Sequence, residues 1–249
     1  MATKQKYHGA VHLHTDLSHD GRMSFTELTS FLKGKGYQFM TITEHSYDVT
    51  QEQMDEQFKM AEEVSSDDFL VLAGIEFRCK SGIDILGLGV HQLIDSEDMA
   101  EVIDHIHAHN GVAIFAHPGH RKEYTIERKW VEKLDGLELY NVKEGKLLPM
   151  KASLKVCKIM KQWKPSLNIH LGLDLHRSDG YLFLSNEVKA EQNDREAILE
   201  ALRTGNFTNK SSLFNVGSDG KMGSLYKAYV YTFRMVLDFV RWFRDKLGI

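Results

Sequence analysis

Apolar runs of strand length alternate with helix-forming segments along most of this chain, and six of those runs end on histidine, aspartate or glutamate. Residues 7–13 lead to His12 and His14 within AVHLHTDLSHDG, and residues 37–43 lead to Glu44 and His45. The runs 69–77, 83–90, 112–116 and 168–173 finish at Glu76, at His91, at His117, and at Asp174 with His176. Strands that alternate with helices read as parallel βα units, and an α/β barrel gathers its chemistry at the C-terminal strand ends. Scattered structural histidines have no reason to choose the same end of every strand. An isolated His-x-His is most simply a surface strand end; it is the series that points to one convergent site.

Local signals place the helices between those strands. Ser24 and Glu27 form a capping box for a helix that Gly36 stops, and further helices are expected over 51–64, 96–110, 125–134 and 150–163, with one more strand at 136–140. Gly74, inside the run 69–77, allows a bend or a close approach. After His176 come a strand over 182–190, a helix over 194–204 ended by Gly205, and a Gly/Ser/Asn-rich loop. The last helix, 225–247, has apolar residues at helical spacing, but Arg234, Asp238, Arg241 and Asp245 interrupt it too often for a membrane span. It is expected to pack on the barrel, with a dimer interface or a membrane-surface helix as the lesser alternatives. The 249 residues contain only three prolines and no linker or repeat, so a single domain over 1–249 is expected.

The strand-end set is His12, His14, Asp20, His45, Glu76, His91, His117, Asp174 and His176. Imidazole and carboxylate without thiolate suit Zn, Mn or Fe. Nine ligands exceed the needs of one ion, since a catalytic zinc uses about three protein ligands, so two to three divalent ions are expected. Glu76, mid-series, is the candidate bridge. Three divalent ions against three carboxylates leave positive charge that an anionic substrate such as phosphate answers, and paired metals favour hydrolysis of a phosphoester. The net charge of −4 disfavours long nucleic acid, and two cysteines with a start that lacks an apolar leader core point to the reducing cytoplasm.

HLHTDLSHDG, TEH (43–45), GIEF (74–77), AHP (116–118) and GLDLH (172–176) together resemble the motifs of the PHP, or polymerase and histidinol phosphatase, superfamily. The resemblance covers roughly residues 7–176. It implies a distorted (β/α)7 barrel with a trinuclear centre. By match of motif, His12, His14, Glu76 and Asp174 would hold the first ion, Glu76, His91 and His117 the second, and Asp20, His45 and His176 the third. The second motif usually reads TDH, so Glu44 stands in for an Asp and is expected to orient a ligand from behind. The expected activity is hydrolysis of a small phosphomonoester, a nucleotide or a short oligonucleotide through a metal-bridging hydroxide.

Glu76, Asp20, His19 and Arg121 are the candidates for catalysis itself. Arg121 and Lys122 follow AHPGH, where a guanidinium could fork onto a phosphate; His19 and His120 sit beside ligands and could protonate a leaving group. Lys143 is a weaker candidate of the same kind. His105, His107 and His109 read as a helix face, and His170 as core. The rivals are a binuclear amidohydrolase-type hydrolase, an exonuclease on short single strands, and a metal-binding barrel without catalysis. The set Asp20, His45 and His176 argues against the first. No membrane partner is expected, and a homodimer is an open alternative.

Overall fold

The computed structural model describes residues 4–119, 126–145 and 148–247. In chain order the elements are β1 (Gln5–Leu13), α1 (Phe25–Gly34), β2 (Phe39–Ile42), β3 (Glu44–His45), α2 (Gln51–Val64), β4 (Leu70–Leu72), β5 (Gly74–Arg78), β6 (Asp84–Leu88), α3 (Met99–Ala108) and β7 (Val112–Phe115). They continue with α4 (Arg128–Lys133), β8 (Gly136–Asn141), α5 (Val142–Gly145), α6 (Lys151–Trp163), β9 (Asn168–Gly172), β10 (Leu184–Ala190), α7 (Arg195–Thr204), β11 (Phe207–Ser211), β12 (Asn215–Gly217) and α8 (Ser224–Leu247). The capping box at Ser24 forms as expected, with the Ser24 hydroxyl accepting from the Glu27 amide and the Glu27 carboxylate accepting from Ser24.

The strands form two six-stranded sheets, ordered β12-β11-β10-β1-β2-β4 and β3-β5-β6-β7-β8-β9. The architecture is mixed α/β, and the ladder is not one continuous closed barrel. Two segments cross from one sheet to the other: β2 gives way to β3 at Thr43, where the expected strand 37–43 ends, and the run 69–77, expected to be unbroken, divides at Ala73 into β4 and β5. A second seam joins β1 to the segment after β9, through Leu173 N–H to Val11 O (3.0 Å) and His14 N–H to Leu175 O (3.1 Å). The candidate ligands lie on these seams.

The parallel rule fails in both sheets: β10, β11 and β12 run antiparallel to their neighbours in the first, and β6 does so in the second. β5, β6 and β7 pair antiparallel, joined at the first step by a short 3-10 turn, Lys80–Gly82, instead of a helix. The register Arg78↔Asp84 and Gly74↔Leu88 therefore carries the start of β6, not its end, to the C-terminal end of β5, two residues past Glu76. Asp84 arrives at the ligand-bearing end and His91 leaves from the opposite one.

Two cores hold the layers. One lies mostly between the sheets and the outer helices, with Leu28 and Leu32 of α1, Ile103 and Ile106 of α3 and Met160 of α6. In the other, Val11, Phe39, Leu86, Ile114 and Val188 of both sheets pack with Ile198, Leu199 and Leu202 of α7. At a transfer value of about 25 cal/mol per Å², each fully buried aliphatic contributes about 1.5–3 kcal/mol, and those of α7 tie the ends of the two sheets together.

Gly74 sits where a strand changes sheets, and a Cβ there would meet Ile42 O at 2.7 Å and Gly87 O at 2.8 Å, both backbone atoms. Gly74→Ala should therefore destabilise the fold by about 2 kcal/mol in chemical denaturation. Gly34→Ala, with nothing within 4 Å, should raise stability by about 0.5 kcal/mol. Equal midpoints for the two variants would refute this account of the crossing.

Candidate metal centre

His12 and His14 do converge, but not by simple strand alternation. His12 has φ 64°, in the left-handed region, and the β1–β2 register shifts between Ala10 and Leu13. Three of the four non-glycine residues with positive φ among those described are His12, His117 (φ 27°) and Asp174 (φ 48°). Such conformations cost about 1–3 kcal/mol each and persist where surrounding structure enforces them. Here they aim ligand side chains inward.

Glu76, 2% exposed, is the centre of the cluster. Its Oε2 lies 3.5 Å from His12 Nε2, 3.4 Å from His14 Nε2 and 2.9 Å from His45 Nδ1, while Oε1 lies 2.7 Å from His117 Nε2. Asp174 Oδ1 is 3.6 Å from His12 Nε2 and 3.5 Å from His14 Nε2. On the outer side, Asp20 Oδ1 stands 3.3 Å from His45 Nε2 and 3.0 Å from His176 Nε2. The ligand atoms of His12, His14 and Asp174, of His12, Glu76 and His117, and of His14, His45 and His176 fall within 4.8 Å of one another in each trio.

The opposite ring nitrogens are held from behind. Glu138 Oε1 takes His12 Nδ1 at 2.8 Å, and Glu138 Oε2 accepts the His117 amide and Asn141 Nδ2; that same Asn141 amide reaches Asp174. The Ser18 hydroxyl donates to Glu44 at 2.6 Å and lies 3.2 Å from His14 Nδ1, and Glu44 also accepts from Thr15 and Gln57. His176 Nδ1 meets the Asp174 carbonyl at 3.0 Å. Fixing one nitrogen determines which one is free to ligate. Glu44 thus stands behind His14, one hydroxyl away.

Whether these residues suit metal ions is answered by atoms left without partners. His12 Nε2, His14 Nε2, His45 Nδ1 and Glu76 Oε2 are buried and make no hydrogen bond among the described residues. Each unsatisfied buried polar atom costs about 1–3 kcal/mol, and four converging on one space is the signature of a missing common partner. Divalent cations of the imidazole- and carboxylate-binding kind fit that space.

Some expected positions need correction. His91 is not brought to the cluster, because β6 runs antiparallel; it stacks on Phe58 (4.0 Å between ring centroids) and lies 3.9 Å from Asp55. Asp84 takes the place near His117, at 3.8 Å, and is ion-paired with Arg78. His19 is 61% exposed at the rim, its Nδ1 2.7 Å from Asp48. Arg121, Lys122 and His120 lie outside the described residues. Lys143 does reach the cluster, with Nζ 3.0 Å from both Asp20 Oδ2 and His176 Nε2. Glu138 and Asn141 were missed in the sequence, although a carboxylate inside the apolar run GLELYN needs a buried partner.

Charge sets the protonation of the cluster. Burial alone would lower His12, but Glu138, Asp174 and Glu76 raise it well above an ordinary imidazole; burial lowers His14 well below one. His117 is likewise opposed by burial yet raised by Glu76 to about 9. Burial works against ionising Glu76, but His12, the hydrogen bond from His117 and the nearby His45 hold it well below the usual carboxylate range. Asp20, with burial again opposing, is held near 2 by Lys143 and His176.

No protein-family model and no curated protein matches this sequence. Solved structures do match. A two-domain protein from Bacteroides vulgatus containing a predicted PHP-like metal-dependent phosphoesterase aligns over 86% of this chain and 67% of its own, with TM-score 0.59 and 17% identity. A candidate metal-dependent phosphoesterase from Bifidobacterium adolescentis aligns over 68% of this chain and 87% of its own, with TM-score 0.50 and 16% identity. The fold is PHP-like. PsfC from Pseudomonas syringae aligns over 92% of this chain and 99% of its own, with TM-score 0.63 and 10% identity.

Ligation requires neutral imidazole, and His117 gives up its proton only near pH 9. Apparent affinity for Zn or Mn should therefore rise with pH between 6 and 9, by about tenfold per unit for each proton displaced. Calorimetry in buffers of different ionisation enthalpy should detect the released protons at pH 7. An affinity that does not change over that range would refute the charge assignment.

Proposed function

We propose that this protein is a metal-dependent phosphoesterase that hydrolyses a small phosphomonoester, with nucleotides and short oligonucleotides as the neighbouring substrate classes. The observation that supports it most directly is the set of orphaned ligand atoms around Glu76. Divalent ions held there would supply Lewis acidity and an activated water, the requirements of in-line displacement at phosphorus. In this reading Glu76, His12, His14 and Asp174 would hold one ion, and Glu76, His117 and Asp84 would hold the next. Asp20, His45 and His176 form a third ligand group, which a binuclear amidohydrolase would not need.

The chain's own groups then act on the substrate. Lys143, at the open edge of the cluster, offers an ammonium to the phosphate or to the charge balance of the third group. His19 has Nδ1 engaged by Asp48, which leaves Nε2 to hold a proton for the leaving oxygen. An overall charge of −4 fits a small anion drawn by a local positive centre better than a long polyanion.

Elemental analysis of the purified protein, paired with release of phosphate from an aryl phosphate with and without Mn, tests this reading. At least two ions per chain and hydrolysis lost on chelation are expected. A metal-replete chain inert to phosphomonoesters, nucleotides and short oligonucleotides would overturn it.

Lys143 gives a separate handle on metal count. Its ammonium and a third cation compete for Asp20 and His176, so Lys143→Ala should bind one more ion per chain than the parent in a metal titration. The same count in both would remove Lys143 from that role without touching the other two sites.

A further inference from the structure

α8 exposes large apolar side chains that the rest of the fold leaves uncovered. Met235, Phe239 and Trp242 form one line along it and Val236, Val240 and Phe243 the next, each between 51% and 73% exposed. With 3.6 residues per turn, the two lines span roughly half the helix circumference. The remaining side anchors the helix: Phe233 and Leu237 pack against the main core, Arg234 donates to the Pro149 carbonyl, and Asp238 pairs with Lys151 at 2.5 Å. The helix is held on the body with an apolar half-cylinder facing outward.

We propose that α8 seats the protein on the surface of an anionic lipid bilayer. Charge favours this occupant. The helix contains five basic and two acidic residues, a net of +3, in a chain whose net charge is −4. Pairing α8 with the same helix of a second copy would set +3 against +3, whereas an anionic surface complements it. Width favours it too, because a two-helix seam needs only a narrow stripe, while an aromatic-rich apolar half with exposed Arg244 and Lys246 towards its C-terminal end suits partial immersion in a headgroup layer.

Lys246 adds a third consideration. Its ammonium lies 4.9 Å over the Trp242 ring, on the apolar side of the helix near its C-terminal end. Between two copies it would be a buried charge, but at a bilayer its stem lies along the apolar surface while the ammonium reaches the headgroups. No described helix is long and apolar enough to cross a membrane, so the contact is with the surface. The expectation of no membrane partner rested on the absence of a span, and an exposed amphipathic face is a different feature.

The test is co-sedimentation of the full chain with vesicles of phosphatidylcholine alone or with phosphatidylglycerol added, which requires no metal and no substrate. Binding on the order of tenfold tighter to the anionic vesicles, weakened by salt, is expected. The double variant Phe239→Ser, Trp242→Ser should lose it, with thermal unfolding and metal content unchanged since both side chains face outward. Phe239→Leu, Trp242→Phe should retain it. Absence of binding to either vesicle would overturn the proposal, as would a dimer in sedimentation velocity that the serine variant dissolves, because the face would then belong to a second copy.

Discussion

A carboxylate that is 2% exposed cannot remain ionised on its own. Moving a lone charge out of water costs far more than a domain's net stability, so Glu76 demands positive partners, and the surrounding structure is arranged to provide them. Four imidazoles crowd its oxygens, and two further buried carboxylates, Glu138 and Asp174, keep part of that crowd charged. The arrangement is mutually dependent: without Glu76 the histidines lose the charge that holds them, and without the histidines Glu76 would take up a proton. Cations of higher charge can take the place of those protons, because the same oxygens and nitrogens serve both.

Strain and support follow from that demand. Residues two apart on a strand share a face but stand about 6.6 Å apart along it, whereas His12 and His14 have to meet at one point with the other His12 nitrogen on Glu138. The left-handed turn at His12 solves this, and the matching conformations at His117 and Asp174 do so at the other strand ends. Support comes from hydrogen-bonded carboxylates one layer back, Glu138 behind His12 and His117, and Glu44 behind Ser18 and His14.

Most of the cluster was legible because it lies at strand ends, where apolar periodicity stops and a titratable residue begins. The run 69–77 illustrates the limit: its composition is that of a single buried strand, and only Gly74 hints that the chain leaves one sheet for the other. His91 was misplaced because strand direction has no local signature, and the short Lys80–Gly82 turn reverses β6. Asp84 was overlooked for the same reason, being at the start of a strand taken to be parallel. Glu138 could have been found by asking what satisfies a carboxylate within GLELYN. The exposure of α8 was not readable, since helical spacing of apolar residues looks the same whether a face meets the protein or something else.

The reversal at Lys80–Gly82 has a consequence for how such a fold can diversify. The turn is at the ligand-bearing end, next to Asp84 and His117, and it links two adjacent antiparallel strands without a helix between them. Loop-closure entropy grows only slowly with length, so residues inserted here would extend over the mouth of the centre while both cores keep their packing. A hairpin at that position is a place where a descendant of this chain could grow a cover, and with it a new selectivity, without redesigning the scaffold.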